Sequence, residues 1–151
     1  MKNFPVICTL TLALAQTWVE AKQIACRHID RYEDEGAITT DVTLTVAQGK
    51  LSRVAIEQTT ELYQARAGYS CSATLTNGET NNMWAINGQE TLISVEPDES
   101  GEPSSLAIIQ TRGGYILKTK NLSRATCGVR GEWPTKVYVP LKGGTCKVFN
   151  K

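Results

Sequence analysis

The chain has 151 residues, a length that suits one domain better than two. Its 16 basic and 15 acidic residues leave a net charge of +1, which argues against nucleic-acid binding and against strong electrostatic steering of a charged partner.

The first predicted element is a secretory signal peptide. Lys2 precedes an apolar run over 4–15, and Val19-Glu20-Ala21 places small residues where signal peptidase recognises them. We expect cleavage after Ala21, with Ala15 as the alternative, and a mature domain of residues 22–151 without a membrane span.

Five cysteines are present, and Cys8 would be lost with the signal peptide. An even number of remaining cysteines in an exported chain predicts two disulfide bonds, whereas a zinc site needs closely spaced pairs. We predict the pairs Cys26–Cys71 and Cys127–Cys146. The second pair would close a loop of about twenty residues and stabilise it by roughly 3 kcal/mol.

Strand patterns dominate the first half of the mature chain. Residues 42–46 alternate strictly between apolar and polar side chains, the alternation extends backward to Ile38, and residues 51–56 return after a turn at 48–50. This pair of runs predicts a β-hairpin. Residues 57–67 fit either a turn of helix or a loop, and residues 69–76 predict a strand that contains Cys71.

The second half continues with short strands. Asn87-Gly88 separates the strand-like runs 82–86 and 90–95, which predicts a hairpin because both turn residues tolerate positive φ. The polar residues 96–104 predict an exposed connection, with a domain linker as the alternative. Further predicted strands cover 105–111, 114–120, 125–127, 136–141 and 145–149. Eight to ten such strands predict an all-β fold, a small antiparallel β-barrel or β-sandwich.

Catalytic motifs are scarce. The chain has no nucleophile elbow, phosphate-binding loop or histidine cluster. The single histidine, His28, lies near Asp30, but general base catalysis also needs a positioned nucleophile or metal. The carboxylates at 33–35 and in the 96–102 loop lie in charge runs that are typical of solvated surface. We therefore expect a binding protein that is not an enzyme and that needs no metal or cofactor.

Residues 65–70 are Ala-Arg-Ala-Gly-Tyr-Ser, and residues 115–120 are Tyr-Ile-Leu-Lys-Thr-Lys. The first stretch is similar to the Ser-Gly-x-x-Tyr motif, and the second to the Tyr-x-x-x-Thr-Lys motif, of the bacterial periplasmic lysozyme inhibitors. Members of that family are small, exported, β-rich proteins with disulfides, whose motif loops enter the lysozyme cleft. The resemblance implies that Tyr69, Tyr115, Thr119 and Lys120 carry the contact, with the Lys120 ammonium on an active-site carboxylate.

The segment 127–134 (Cys-Gly-Val-Arg-Gly-Glu-Trp-Pro), together with 137–140, looks like the tail of exported proteobacterial proteins of unassigned function. Arg130 and Trp133 in this segment are further candidates for partner binding, because arginine and tryptophan are enriched at interface hot spots and a disulfide-closed loop is preorganised. The equal alternative for Trp133 is burial at the end of the core.

Together these features predict an exported binding or inhibitory protein of the bacterial envelope, periplasmic or secreted. Its preferred partner is a lysozyme, with another envelope protein as the alternative. Two other functions remain open, a β-barrel that binds a small apolar ligand and a structural envelope protein. An inhibitor predicts a filled core and a protruding loop, whereas a ligand-binding barrel predicts a closed sheet around an apolar cavity.

Overall fold

The computed structural model describes residues 20–64, 67–97, 101–127 and 133–149. Residues 1–19, which hold most of the predicted signal peptide, and Arg130 lie outside these ranges. The described residues form eleven strands and one short helix: β1 (Lys22–Tyr32), β2 (Gly36–Ala47), β3 (Lys50–Leu62), β4 (Ala67–Thr76), β5 (Asn82–Asn87), β6 (Glu90–Val95), β7 (Ser104–Gln110), β8 (Gly114–Lys120), α1 (Leu122–Cys127), β9 (Lys136–Pro140), β10 (Gly144–Thr145) and β11 (Lys147–Phe149). The all-β prediction is confirmed.

The strands form two sheets. One has the order β10-β1-β2-β3-β4 and the other the order β11-β9-β8-β7-β6-β5. Strands β1 to β4 and β5 to β9 are successive meanders, in which each strand pairs antiparallel with the next. The short β10 is the exception, since it lies parallel to β1. A single core takes residues from both sheets, so the architecture is two-layered, the sandwich of the two predicted alternatives.

Strict alternation along the strands builds this core. Leu44 from the first sheet and Leu106 and Leu117 from the second are fully buried, while their neighbours in sequence face outward. Burying each such side chain contributes about 1.5–3 kcal/mol. The core between the sheets is therefore filled by side chains.

The predicted disulfide pairing is wrong. Cys26 is bonded to Cys146 and Cys71 to Cys127, with Cα–Cα distances of 5.2 and 5.6 Å. Sheet order explains the error, because β2 and β3 lie between β1 and β4. Three strand spacings of roughly 4.8 Å separate Cys26 from Cys71 too widely for a disulfide. The first observed bond instead joins β1 to Cys146, which lies between β10 and β11. The second joins β4 to Cys127, the last residue of α1.

Three local predictions also need correction. The strand predicted at 125–127 is wrong, because α1 occupies this segment after a positive φ of 51° at Asn121. The ambiguous residues 57–62 continue β3, which is paired on both sides, with β2 and β4. The strand predicted at 145–149 is divided at Cys146, since β10 joins the first sheet and β11 the second.

The hairpin predicted around Asn87-Gly88 is confirmed, with its turn one residue later. β5 continues through Asn87, which pairs with Glu90, so Gly88 and Gln89 are the two turn residues. Gly88 has φ of 59°, whereas no positive φ occurs at Gln89. This pattern matches a type II′ turn, which requires positive φ only at its first central residue.

Candidate functional site

Two of the predicted contact residues have their side chains engaged within the fold. Tyr69 on β4 is half-buried, and its hydroxyl donates a hydrogen bond of 2.9 Å to the carbonyl oxygen of Cys127. Tyr115 at the start of β8 is only 7% exposed and belongs to the core. A partner could reach either side chain only at its edge.

The Thr-Lys pair at the end of β8 is divided between two environments. Thr119 donates from Oγ1 to the carbonyl of Pro134 at 2.9 Å and from its amide to the carbonyl of Thr135 at 3.1 Å. These bonds fasten the segment that leads into β9. Lys120 is exposed, so it is the member of the predicted set that is free to meet a partner.

Trp133 lies at the end of the core. It is 6% exposed, and its indole N–H has no hydrogen-bond partner among the described residues. This placement corresponds to burial, the alternative role considered for it. Arg130 lies outside the described residues, so its partner-binding role stays a prediction.

His28 on β1 contacts the segment between β10 and β11. Its Nε2 lies 2.9 Å from Asp30 Oδ1, and its Nδ1 lies 3.3 Å from the carbonyl oxygen of Cys146. Both ring nitrogens therefore contact groups beside the Cys26–Cys146 disulfide. This contact is a structural role for the His28 and Asp30 pair, and the prediction that the protein is not an enzyme stays a prediction.

The outer face of the six-stranded sheet is a further candidate surface. Alternate residues of its strands point away from the core and form three cross-strand rows. We call this surface the lysine face. Its first row is Glu90, Ile109, Ile116, Tyr138 and Lys147, and its second row is Ala85, Leu92, Ala107, Lys118, Lys136 and Phe149. Its third row is Met83, Ser94, Ser105 and Lys120.

The lysine face combines exposed apolar side chains with positive charge. Met83 is 73% exposed and Leu92 is 41% exposed. Four lysines lie on the face against a single acidic residue, Glu90. The ammonium of Lys136 lies 5.0 Å from the centre of the Phe149 ring, a cation–π distance. Mixed apolar and cationic surfaces of this kind are suited to partner binding.

The outer face of the five-stranded sheet has a different character. Threonine and serine dominate it, and its basic residues are balanced by acidic ones along β1, β2 and β3. Arg27 makes a bidentate ion pair with Asp41, at 2.7 and 3.0 Å. The pKa of the Arg27 guanidinium is raised, chiefly by its hydrogen bond to Asp41 and secondly by the negative charge of that carboxylate. Of the two outer faces, the lysine face is therefore the one that combines exposed apolar side chains with excess positive charge.

A cavity of about 400 Å³ lies at one end of the sandwich. The β2–β3 turn of the first sheet and the β5–β6 turn of the second border it, together with the adjacent ends of β7 and β8. We call it the end cavity, and its lining is Gly49, Lys50, Leu51, Ile86, Gly88, Gln89, Thr91, Ile108, Gln110 and Tyr115. Burial raises the pKa of the Tyr115 hydroxyl above its usual value.

No family model, curated protein or solved structure matches the chain. Among the described residues, no three histidine, cysteine or carboxylate side chains cluster as a metal site would require. No helix in the described ranges has the length and apolarity needed to cross a membrane. The two disulfides are typical of proteins that fold in an oxidising compartment outside the cytoplasm.

Sequence reasoning found Lys120 but missed the rest of the lysine face. Its residues come from six strands spread between positions 83 and 149, so no short motif contains them. One local signal was available: Ile116, Lys118 and Lys120 alternate with the buried Tyr115 and Leu117 along β8. That alternation predicts a basic outward stripe once the strand is assigned.

Proposed function

We propose that this chain is an exported binding or inhibitory protein of the bacterial envelope, periplasmic or secreted, that meets its partner through the lysine face. The observation that carries the proposal is the presence of exposed apolar side chains and four lysines on one side of one sheet. The filled core supports it as well, because a barrel that holds an apolar ligand needs a central cavity.

The chemistry of the lysine face supports a partner with complementary features. Met83 and Leu92 favour an apolar patch on the opposing protein, and the lysine ammonium groups favour carboxylates beside that patch. A lysozyme cleft offers the carboxylates, since glycoside hydrolysis uses a pair of carboxylic side chains next to the bound sugar. Lys120 lies at the end of β8 in the outermost row, where its ammonium can extend beyond the sheet toward such a carboxylate.

A titration of the mature protein, residues 22–151, into lysozymes of the c, g and i types tests the proposal. We expect micromolar protein to inhibit cell-wall lysis by at least one type. Substitution Lys120→Gln should raise the inhibition constant about 10- to 100-fold, because it removes a charge-assisted hydrogen bond of about 1.5–3 kcal/mol.

The matched control is Lys142→Gln. Lys142 is also an exposed lysine, but it lies in the β9–β10 turn outside the lysine face. We expect it to leave inhibition unchanged. Absence of inhibition for every lysozyme type would refute lysozyme as the partner, and equal losses in both variants would refute the role of the lysine face.

Binding to vesicles that contain anionic lipid provides a further discrimination. A protein partner predicts no salt-sensitive attachment of the mature chain to such vesicles at micromolar concentration. Attachment that Lys120→Gln weakens and Lys142→Gln does not would assign the lysine face to a membrane surface and overturn the proposal of a protein partner.

A further inference from the structure

The end cavity lies apart from the lysine face and opens between the two sheets. The turn at Gln48 and Gly49 covers it from the first sheet, and the turn at Gly88 and Gln89 covers it from the second. Its volume of about 400 Å³ falls within the range of about 300–1,000 Å³ that is usual for small-molecule sites. The cavity therefore has room for a ligand of modest size.

The lining combines apolar and polar side chains, including the exposed Ile86 and the buried Thr91. Ile108 and Tyr115 are 2% and 7% exposed and form the buried part of the wall. Lys50, Gln89 and Gln110 are exposed around the opening. A ligand that matches this lining has an apolar body and one polar end.

The hydroxyl of Tyr115 is available to such a ligand. It makes no hydrogen bond to another described residue, although the side chain is largely buried and lines the cavity. A tyrosine hydroxyl, with an ordinary pKa of about 10, is protonated at neutral pH and can donate a hydrogen bond. The hydroxyl oxygen reaches solvent within the cavity, so a ligand oxygen could take the place of a water that accepts from it.

Charge at this end of the sandwich favours an anion. The turns at this end carry the exposed basic residues Lys50, Arg112 and Lys142. The acidic residues at this end include Glu20, which precedes β1 and falls within the predicted signal peptide, Glu79 in the β4–β5 connection, and Glu90, whose side chain points to the outer face of β6. Positive charge thus predominates, with Lys50 at the opening itself.

We propose that the end cavity binds a small amphipathic carboxylate, whose apolar body packs against Ile108 and the Tyr115 ring and whose carboxylate meets the Lys50 ammonium. This site is independent of the proposed function, because it shares no residue with the lysine face.

Titration of the mature protein with sodium octanoate, and with octan-1-ol as the neutral analogue, tests the site. We expect octanoate to bind with one-to-one stoichiometry and about tenfold more tightly than octan-1-ol. In ¹⁵N-resolved NMR spectra the amide signals of Gly49 and Gly88 should shift with saturation, and those of Lys118 and Lys120 should not.

Variants identify the groups responsible. Lys50→Gln should weaken octanoate binding about tenfold and leave octan-1-ol binding unchanged, while the control Lys120→Gln, at the opposite end of β8 and outside the cavity lining, should change neither. Tyr115→Phe, which removes only the hydroxyl, should weaken binding of both probes several-fold. The site is refuted by non-saturable binding, by shifts outside the cavity, or by equal effects of Lys50→Gln and Lys120→Gln, and none of these outcomes affects the lysozyme titration.

Discussion

Tyr115 is the residue at which the core, the end cavity and the predicted motif meet. Its position at the first inward site of β8 places the ring against the core and leaves the hydroxyl without a partner among the described residues. Burial disfavours the charged phenolate and therefore raises the pKa of the group in the folded protein. The sequence motif marked this tyrosine as a surface contact, and the fold instead makes it a cavity wall.

The raised pKa of Tyr115 predicts a stability loss at alkaline pH. Between the unfolded pKa near 10 and the higher folded pKa, the folded state binds more protons than the unfolded state, so the free energy of unfolding falls as pH rises. Below pH 10 this contribution is fully present. Guanidinium unfolding at pH 8 to 11 should show a steeper alkaline decline for the wild type than for Tyr115→Phe. Identical slopes would contradict the assignment.

At the scale of elements, β8 organises the second sheet. Its inward residues reach the core and the end cavity, and its outward residues supply two lysines of the lysine face. Gly114 starts the strand where it approaches β9 most closely. A Cβ atom there would overlap the carbonyl oxygen of Val139. Glycine at this position therefore permits the pairing of β8 with β9.

Gly114 and Gly68, each near the start of its strand, form a matched pair for testing this requirement. Gly114→Ala should lower the free energy of unfolding by about 1–3 kcal/mol, because β8 and β9 must move apart. Gly68→Ala places its Cβ 3.5 Å from the nearest atom, an ordinary contact, and should change stability by less than about 1 kcal/mol. Guanidinium unfolding measures both variants. A smaller loss for Gly114→Ala than for Gly68→Ala would refute the proposed clash.

At the scale of the whole molecule, the two meanders are held together at both sides of the sandwich. The Cys26–Cys146 bond spans 120 positions and ties β1 to the segment that crosses between the sheets. The Cys71–Cys127 bond spans 56 positions and ties β4 to α1. Because neither bond lies within one meander, both restrain the relative placement of the two sheets.

Replacement of Cys26 and Cys146 by serine should destabilise the fold. In the chain-entropy model, opening a loop of this length costs roughly 4–5 kcal/mol. Guanidinium unfolding of the double variant measures the loss.

A non-reducing tryptic map of the wild type tests the pairing itself. It should show peptide 23–27 linked to 143–147 and peptide 67–112 linked to 125–130. A link between 23–27 and 67–112 would contradict the topology.

Local sequence patterns were sufficient to predict the all-β class, the number of disulfides and most of the central strands. Periodicity is a local property, so strict alternation over 42–46 and 51–56 was sufficient to predict β2 and β3. The signals failed where long-range pairing decides the outcome. Residues 57–62 become strand because two neighbours pair with them, and 145–149 divides because each half finds a different sheet.

Long-range packing accounts for the cysteine pairing, the burial of Tyr115 and Trp133, and the composition of both candidate sites. Sheet order separates Cys26 from Cys71 and brings Cys146 beside β1. The lysine face and the end cavity collect residues that are distant in sequence, since each strand contributes only one to three outward side chains or a single turn. The physical reason is the same in each case. Strands pair in the order that buries their shared core, and that order depends on residues from many segments of the chain.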